Sequence, residues 1–172
     1  QTLSTALLTV AEVNQQLAYA SQAIGALSVI KKTQSPLVSQ RAEWMRASIT
    51  MDGLAVSELM PQLSPLYDQL GNLTLNSEHS LTNTHRSLLA HAASAGQYRN
   101  TGMGVYRNNR LVHMTAPANQ VAKLIRQCLN ADDERHHPLL RAANVLFDLE
   151  FIQPFAQANG IVARLWHKAS LI

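Results

Sequence analysis

The chain has 172 residues, 47% of them apolar and 5% aromatic, enough to bury the core of one ordinary globular domain with no shift in composition that calls for a second. Ala, Leu, Gln and Asn are plentiful, which favours helix packed on helix over a sheet sandwich rich in β-branched and aromatic residues. The net charge of +3, from 14 Lys plus Arg against 11 Asp plus Glu, is small and scattered, which argues against nucleic acid as a partner, and no apolar run reaches the roughly 18 residues of a membrane span.

From residue 3 to 27 the apolar positions Leu3, Leu7, Val10, Leu17, Ile24 and Leu27 recur with helical period and predict one long amphipathic helix. A polar break at 31–35 follows, and Pro36 is placed to open a second helix through Trp44, Met45 and Ile49 as far as Gly53. A third helical segment, 54–70, carries Pro61 and Pro65 and is expected to be irregular. After Gly71-Asn72, residues 77–92 read as helix through Leu81, Leu88 and Leu89, ended by Ala95-Gly96.

The β signal comes next. Residues 103–107 and 110–114 flank Asn108-Asn109, and because Asn tolerates positive φ this predicts a short hairpin in which Val105 and Arg107 alternate against Leu111 and His113. Pro117 opens the following helix, which ends near Asn130. The polar stretch 131–137 reads as a loop, and Pro138 starts an apolar helix over 139–152. The fold class is mainly α: a helical bundle with one short β-hairpin.

The single cysteine, Cys128, lies in the apolar pattern Leu124, Ile125, Cys128, Leu129 and has no partner for an internal disulfide, as expected of a core residue in a reducing cytoplasm. The N-terminus lacks the basic stretch of a signal peptide, and a start at Gln1 and a stop at Ile172 read as a domain cut from something longer. Seven histidines raise the question of a metal. His79, His85 and His91 turn about 240° per step around a helix and point in three directions. No HExxH or paired-cysteine pattern is present, and His136-His137 beside Asp132, Asp133 and Glu134 read as a solvated loop, so no structural metal is predicted.

Residues 151–168, FIQPFAQANGIVARLWHK, carry the strongest chemical signal. The chain leaves an apolar helix, breaks at Pro154, passes Ala158-Asn159-Gly160 and resumes as a helix bearing Arg164. A helix N-terminus offers unpaired N–H groups and partial positive charge, small residues let an anion approach the backbone, and Arg164 one turn on would add a forked cationic donor. The same residues also read as a plain turn between two helices, with Arg164 in a salt bridge that locks it.

Gln153 to Arg164 resembles the signature of the Fic (Fido) family, His-Pro-Phe-x-Asp/Glu-Gly-Asn-Gly-Arg-x-x-Arg. It keeps Pro154, Phe155, Asn159, Gly160 and Arg164 and departs at Gln153, Gln157, Ala158 and Ile161. The surroundings agree in order: Ala95-Gly96-Gln97-Tyr98-Arg99, a hairpin, a Pro117 helix, then His137-Pro138-Leu139-Leu140 and an apolar helix into the motif. Further back, Ser48-Ile49-Thr50-Met51-Asp52-Gly53 is similar to the Ser/Thr-x-x-x-Glu-Gly/Asn inhibitory helix of family members. The resemblance implies one Fic-like domain over 1–172, with an N-terminal helical region at 1–70 holding the inhibitory-like segment 48–53 and a Fic core at 77–172.

Active members of that family transfer AMP, or sometimes another phosphate-containing group, from a nucleotide to a hydroxyl of a target protein. They need a His as base, an Asp or Glu holding Mg²⁺ on the phosphates, backbone amides and arginines for the developing charge, and a flap that docks the target by strand-like pairing. Here Gln153 stands at the base position, and its amide takes no proton near neutral pH. Gln157 replaces the metal-binding carboxylate, Ala158 the first glycine and Ile161 the first arginine. Ala158, Asn159, Gly160 and Arg164 remain as the nucleotide- or anion-binding set, and Val105, Tyr106, Leu111 and Val112 as the flap. Ser48, Asp52 and Gly53 are the inhibitory set, which implies that Asp52 faces Arg164.

The expected function is a catalytically impaired or inactive Fic domain acting as a binding or regulatory module, requiring no cofactor, with ATP and Mg²⁺ bound weakly at most and a protein partner held by the flap and its groove. The alternative is a working nucleotidyl- or phosphoryl-transferase using ATP and a substitute base, His113 or His167. A third reading keeps the fold and no nucleotide role.

Overall fold

The computed structural model describes residues 38–131 and 137–172, together with positions 15, 18, 19 and 22, which are helical. The rest of the expected helix at 3–27, and the acidic part of the loop at 132–136, lie outside the described residues. Among the described residues the chain is mainly α, with six α-helices and one two-stranded antiparallel hairpin.

Helix α1 spans Val38–Met51. Gly53, at φ +70, closes it: Gly53 N–H donates to Thr50 O at 3.0 Å and Leu54 N–H to Ile49 O at 3.3 Å, the paired bonds of a Schellman motif. That turn leaves Asp52 at the C-cap. Helix α2, Val56–Asp68, runs unbroken through Pro61 and Pro65, which corrects the irregular segment expected there. Ser57, Pro61 and Pro65 are four apart on one exposed face, so the carbonyls left without N–H partners face solvent. Leu59, Leu63 and Leu66 are buried on the opposite side and hold the helix to the core.

A 3₁₀ turn at Leu70–Asn72 leads to α3, Glu78–Leu88, whose N-cap Ser77 accepts from Ser80 N–H at 3.1 Å. The helix stops at Leu88, short of the expected residue 92. The chain unwinds there, and Gly96, at φ +73, returns its N–H to His85 Nδ1 at 2.9 Å.

Strands β1, Gly104–Arg107, and β2, Arg110–Met114, form the hairpin, with Asn108 and Asn109 at φ 48 and 61 as a primed turn. Its register departs from the expected regular alternation. Val105 pairs with His113 and Tyr106 with Leu111, so Val112 is the extra residue of a β-bulge.

Helix α4, Val121–Leu129, follows a 3₁₀ turn at Ala118–Gln120. Helix α5, Pro138–Ile152, starts with proline in its first turn after the N-cap His137. Helix α6, Asn159–Ala169, lies at the centre against α1, α3 and α5, with Ile161, Val162, Ala163, Leu165, Trp166 and Ala169 buried. Trp166 is fully buried and its Nε1–H donates to Leu75 O at 3.1 Å, so the largest side chain contributes about 3 kcal/mol of apolar burial with its polar atom satisfied. A helix so enclosed fixes the loop that feeds it. No described helix is long and apolar enough to cross a membrane.

Candidate functional site

The corner between α5 and α6 turns on two residues of positive φ, Gln153 at 47 and Ala158 at 59. Gln153 caps α5, its N–H donating to Leu149 O at 2.9 Å. Between them the Asn159 carboxamide brackets the loop: Oδ1 accepts from Phe155 N–H and Nδ2 donates to Phe155 O, both at 2.8 Å. Phe155 is fully buried, its ring stacked on His85 with centroids 3.8 Å apart and planes 7° from parallel. Asn159-Gly160 therefore closes the turn from inside, and Pro154 and Phe155 anchor it.

Two supports of this corner escape sequence reasoning. Arg99, 6% exposed, donates from Nε to Gln153 O at 2.7 Å, from Nη1 to Thr101 O at 2.7 Å, and from Nη2 to Ala116 O at 2.5 Å and Ile152 O at 3.0 Å. A guanidinium thus fills the orphan carbonyls at the C-terminus of α5, where the helix dipole favours a cation. No local pattern marks it, because its partners lie more than 50 residues away or in the hairpin flanks. His85 holds the loop from below: Nδ1 accepts from Gly96 N–H, which places the ring proton on Nε2, and Nε2–H donates to Gln157 O at 3.2 Å. Burial holds the imidazole below its ordinary pKa, opposed by the Gln157 carbonyl. A signal existed here, since His85 falls on the apolar stripe of Leu81 and Leu88.

Asp52 and Arg164 meet at the start of α6. Asp52 Oδ2 accepts from Ile161 N–H at 3.0 Å, and Oδ1 accepts from Arg164 Nη2 at 2.5 Å. Arg164 also donates from Nε to the hydroxyl of buried Ser48 and from Nη2 to Ser48 O, both at 2.8 Å, with Glu150 Oε1 at 3.6 Å from Nη1. The helix N-terminus expected to receive an anion thus holds one already, the carboxylate of Asp52. Gly160 makes room for it, since a methyl group there would overlap both Asp52 Oδ1 and the Arg164 guanidinium.

Beside this clamp lies a cavity of about 510 Å³, which Gln153, Gln157, Ala158, Asn159, Gly160, Arg164 and Asp52 line from the corner and α1, and Met103, Gly104 and Val105 line from the hairpin. The structure therefore brings the corner and inhibitory residues to one place, with Val105 of the flap. Tyr106, Leu111 and Val112 point outward and are exposed, and Gly53 acts through the turn that sets Asp52. Ile161 is 1% exposed, its side chain in the core and its N–H on Asp52. Neither histidine named as a substitute base lines the cavity: His113 Nε2–H donates to Phe151 O at 3.1 Å, and His167 Nδ1–H to Ala142 O at 3.0 Å. Glu150, which sequence reasoning passed over as one acid in an apolar helix, does line it. Burial raises its carboxyl pKa, neighbouring Asp52 adds to the rise and Arg164 opposes it.

The Fic/DOC family model matches residues 74–171 of this chain. Among solved structures, a Fic family protein from Desulfovibrio desulfuricans G20 is similar, with a TM-score of 0.74 and 22% identity, over 96% of this chain and 58% of that one. At that identity the likeness is one of fold, and the chain spans 58% of the length of this solved relative. Comparison with curated proteins gives no match.

Proposed function

This chain belongs to the Fic/DOC family, and from that premise we propose that it is a Fic domain that has lost AMP transfer and works as a protein-binding or regulatory module. The observation that carries the reading is the seat of Asp52. Its carboxylate takes the α6 N-terminal amide and the Arg164 guanidinium together, the two groups that would otherwise hold phosphate. Two carboxylates, Asp52 and Glu150, already pair with the one guanidinium that lines the cavity. Gln157 offers only a neutral carbonyl where a hard cation prefers charged oxygen, and Gln153 offers no base. This set does not fit a Mg²⁺-nucleotide, and the remaining role is recognition by the hairpin and the groove beneath it.

The test is calorimetry with ATP, with and without Mg²⁺, paired with labelled-ATP incubation of the protein alone and in a lysate from its source. The expected result is no measurable heat and no label. Mg²⁺-dependent labelling abolished by Arg164→Ala would overturn the reading. A second reading, transfer with a substitute base, has one observation in its favour: Glu150, a cavity carboxylate whose pKa burial raises. Labelling that survives His113→Gln and His167→Gln but not Glu150→Gln would select it.

A further inference from the structure

A second cavity, of about 250 Å³, shares no lining residue with the one at the corner. Trp166 lines it from α6, whereas Arg164 lines the first, and the two stand about 200° apart around the helix. Its floor is apolar and buried: Cys128 and Leu129 from α4, Ala142 from α5, and Trp166. Burial, with Asp148 adding to it, pushes the Cys128 thiol up to about 12, so the group is neutral at physiological pH and behaves as apolar wall. The Trp166 indole N–H is taken by Leu75 O and the Ser170 hydroxyl proton by Trp166 O, so neither calls for a ligand. The rim differs. Arg141 and Asn76 are exposed there, neither side chain in a hydrogen bond or ion pair among the described residues, and no carboxylate among those residues lines the cavity. Protein interiors close-pack with few voids larger than a water molecule, which makes a gap of this size beside a lone guanidinium a departure to explain.

We propose that this cavity binds a small monocarboxylate with an apolar body, a short acyl chain or a single aromatic ring, with its carboxylate on Arg141 at the rim. The inference is independent of the reading of the corner. A guanidinium fork matches a carboxylate in shape and charge, and Asn76 brings an amide donor to the same cavity. The buried floor takes the apolar body, the division of labour of small-molecule sites, where apolar walls supply affinity and a few polar groups fix orientation. A dry cavity of about 150 Å³ already admits benzene, so about 250 Å³ holds a ring with a short chain. A compact inorganic anion would meet Arg141 and leave the floor unfilled. A neutral hydrocarbon would fill the floor and leave the guanidinium unused.

The test uses the full chain carrying Trp44→Phe, which leaves Trp166 as the one tryptophan and its emission as a reporter at the cavity floor. Hexanoate and 3-phenylpropanoate are titrated separately, and a saturable change in emission at millimolar concentration or below is expected. A response to one and not the other would name the kind of body the floor accepts. Arg141→Gln weakens binding roughly tenfold or more, and because Arg141 is exposed the variant keeps its parental Tm, so the loss is not unfolding. The uncharged 3-phenylpropanamide binds the parent roughly tenfold more weakly than the acid and is indifferent to Arg141→Gln. Val145→Phe, which puts a ring into the cavity from half-buried α5, removes the response. No emission change at millimolar ligand, equal binding of amide and acid, binding unchanged by Arg141→Gln, a saturable response that survives Val145→Phe, or inorganic phosphate acting as well as 3-phenylpropanoate would each overturn the proposal. None of these readouts uses nucleotide, so they stand apart from the labelling assay that judges loss of AMP transfer.

Discussion

Asp52 and Arg164 are separated by 112 positions in the chain and joined by a 2.5 Å ion pair, and the carboxylate that makes it also closes the N-terminus of α6. Their side chains are 11% and 23% exposed, so removing one leaves the other largely buried and uncompensated. Breaking a fully buried pair costs about 3–5 kcal/mol, and the partial exposure of Arg164 lowers the expectation for Asp52→Ala to about 2–3 kcal/mol by chemical denaturation. The emptied seat then suits an external anion. Inorganic phosphate is expected to raise the Tm of Asp52→Ala and leave the unmodified protein unchanged. Equal responses would place any anion site elsewhere.

Arg99 is a buried cation with no carboxylate partner among the described residues, satisfied by four backbone carbonyls that tie α5, the corner and the hairpin flanks together. Arg99→Met keeps the apolar stem and strands those carbonyls, two of them at the end of α5. The expected loss is on the order of 3 kcal/mol or more. Arg99→Lys is expected to recover only part of it, because one ammonium cannot span a fork of four acceptors. Full parental stability for Arg99→Lys in urea would show that charge alone matters.

The elements that depend on local chemistry were legible in the chain: Pro138 opening α5, Gly53 closing α1, and Asn108-Asn109 turning the hairpin. What was not legible depends on distant groups. Two prolines suggested a broken α2, yet buried Leu59, Leu63 and Leu66 outweigh the lost hydrogen bonds on its exposed face. The early end of α3 follows from His85 taking a bond from Gly96, and the roles of Arg99 and Glu150 follow from what α5 places beside them. Periodicity reports which face of a helix is buried, not which carbonyl lacks a donor. At the site, the family motif led to the corner and to the Asp52–Arg164 pair, while the filling of the anion seat needed three dimensions.

His85 makes the fold sensitive to acid. Its folded pKa lies below the ordinary 6.5 because burial disfavours the imidazolium, so between those two values the unfolded chain binds more protons than the native state. Stability from this group is fully present above pH 6.5 and declines as pH falls through that window. A protonated ring would also set two N–H groups against each other at Gly96. Unfolding free energies measured from pH 7.5 down to about 5 are expected to fall, and His85→Gln to flatten that slope while costing stability at neutral pH. A slope unchanged in the variant would assign the acid sensitivity to other groups.

Ala158 stands at φ 59, where a glycine would be free of strain, and it is 4% exposed. Relief of left-handed strain is worth about 1–2 kcal/mol, against which Ala158→Gly loses about 0.8 kcal/mol of methyl burial and about 0.4–1 kcal/mol of unfolded-chain restriction. The two sides nearly cancel, and the variant is expected within about 0.5 kcal/mol of the parent. Ala158→Val has no such offset, since a β-branched side chain adds bulk to a buried site and strain at positive φ. Thermal unfolding of both variants checks the contrast.

Restoring the base alone is expected to restore nothing. A positioned general base is worth about 10² to 10⁴ in rate, but only where substrate is held for it, and with Gln153→His the phosphate seat still contains Asp52 and the cation position still carries neutral Gln157. Gln153→His is therefore expected to show no label from ATP with Mg²⁺, and so is Gln157→Asp by itself. Groups that act on one transition state are strongly non-additive, so first activity is expected where Gln153→His, Gln157→Asp and Asp52→Ala are combined, which supplies a base and a metal carboxylate and frees Arg164 with the α6 amides. Ala158→Gly adds to that set without a stability penalty. Ile161→Arg belongs last, because residue 161 is 1% exposed and a guanidinium starting there must leave the core to reach the cavity. Labelling is measured across the series with Arg164→Ala in each background. Activity in the single Gln153→His variant, lost on Arg164→Ala, would mean that Asp52 leaves its seat readily and that the clamp is a regulator rather than a permanent occupant.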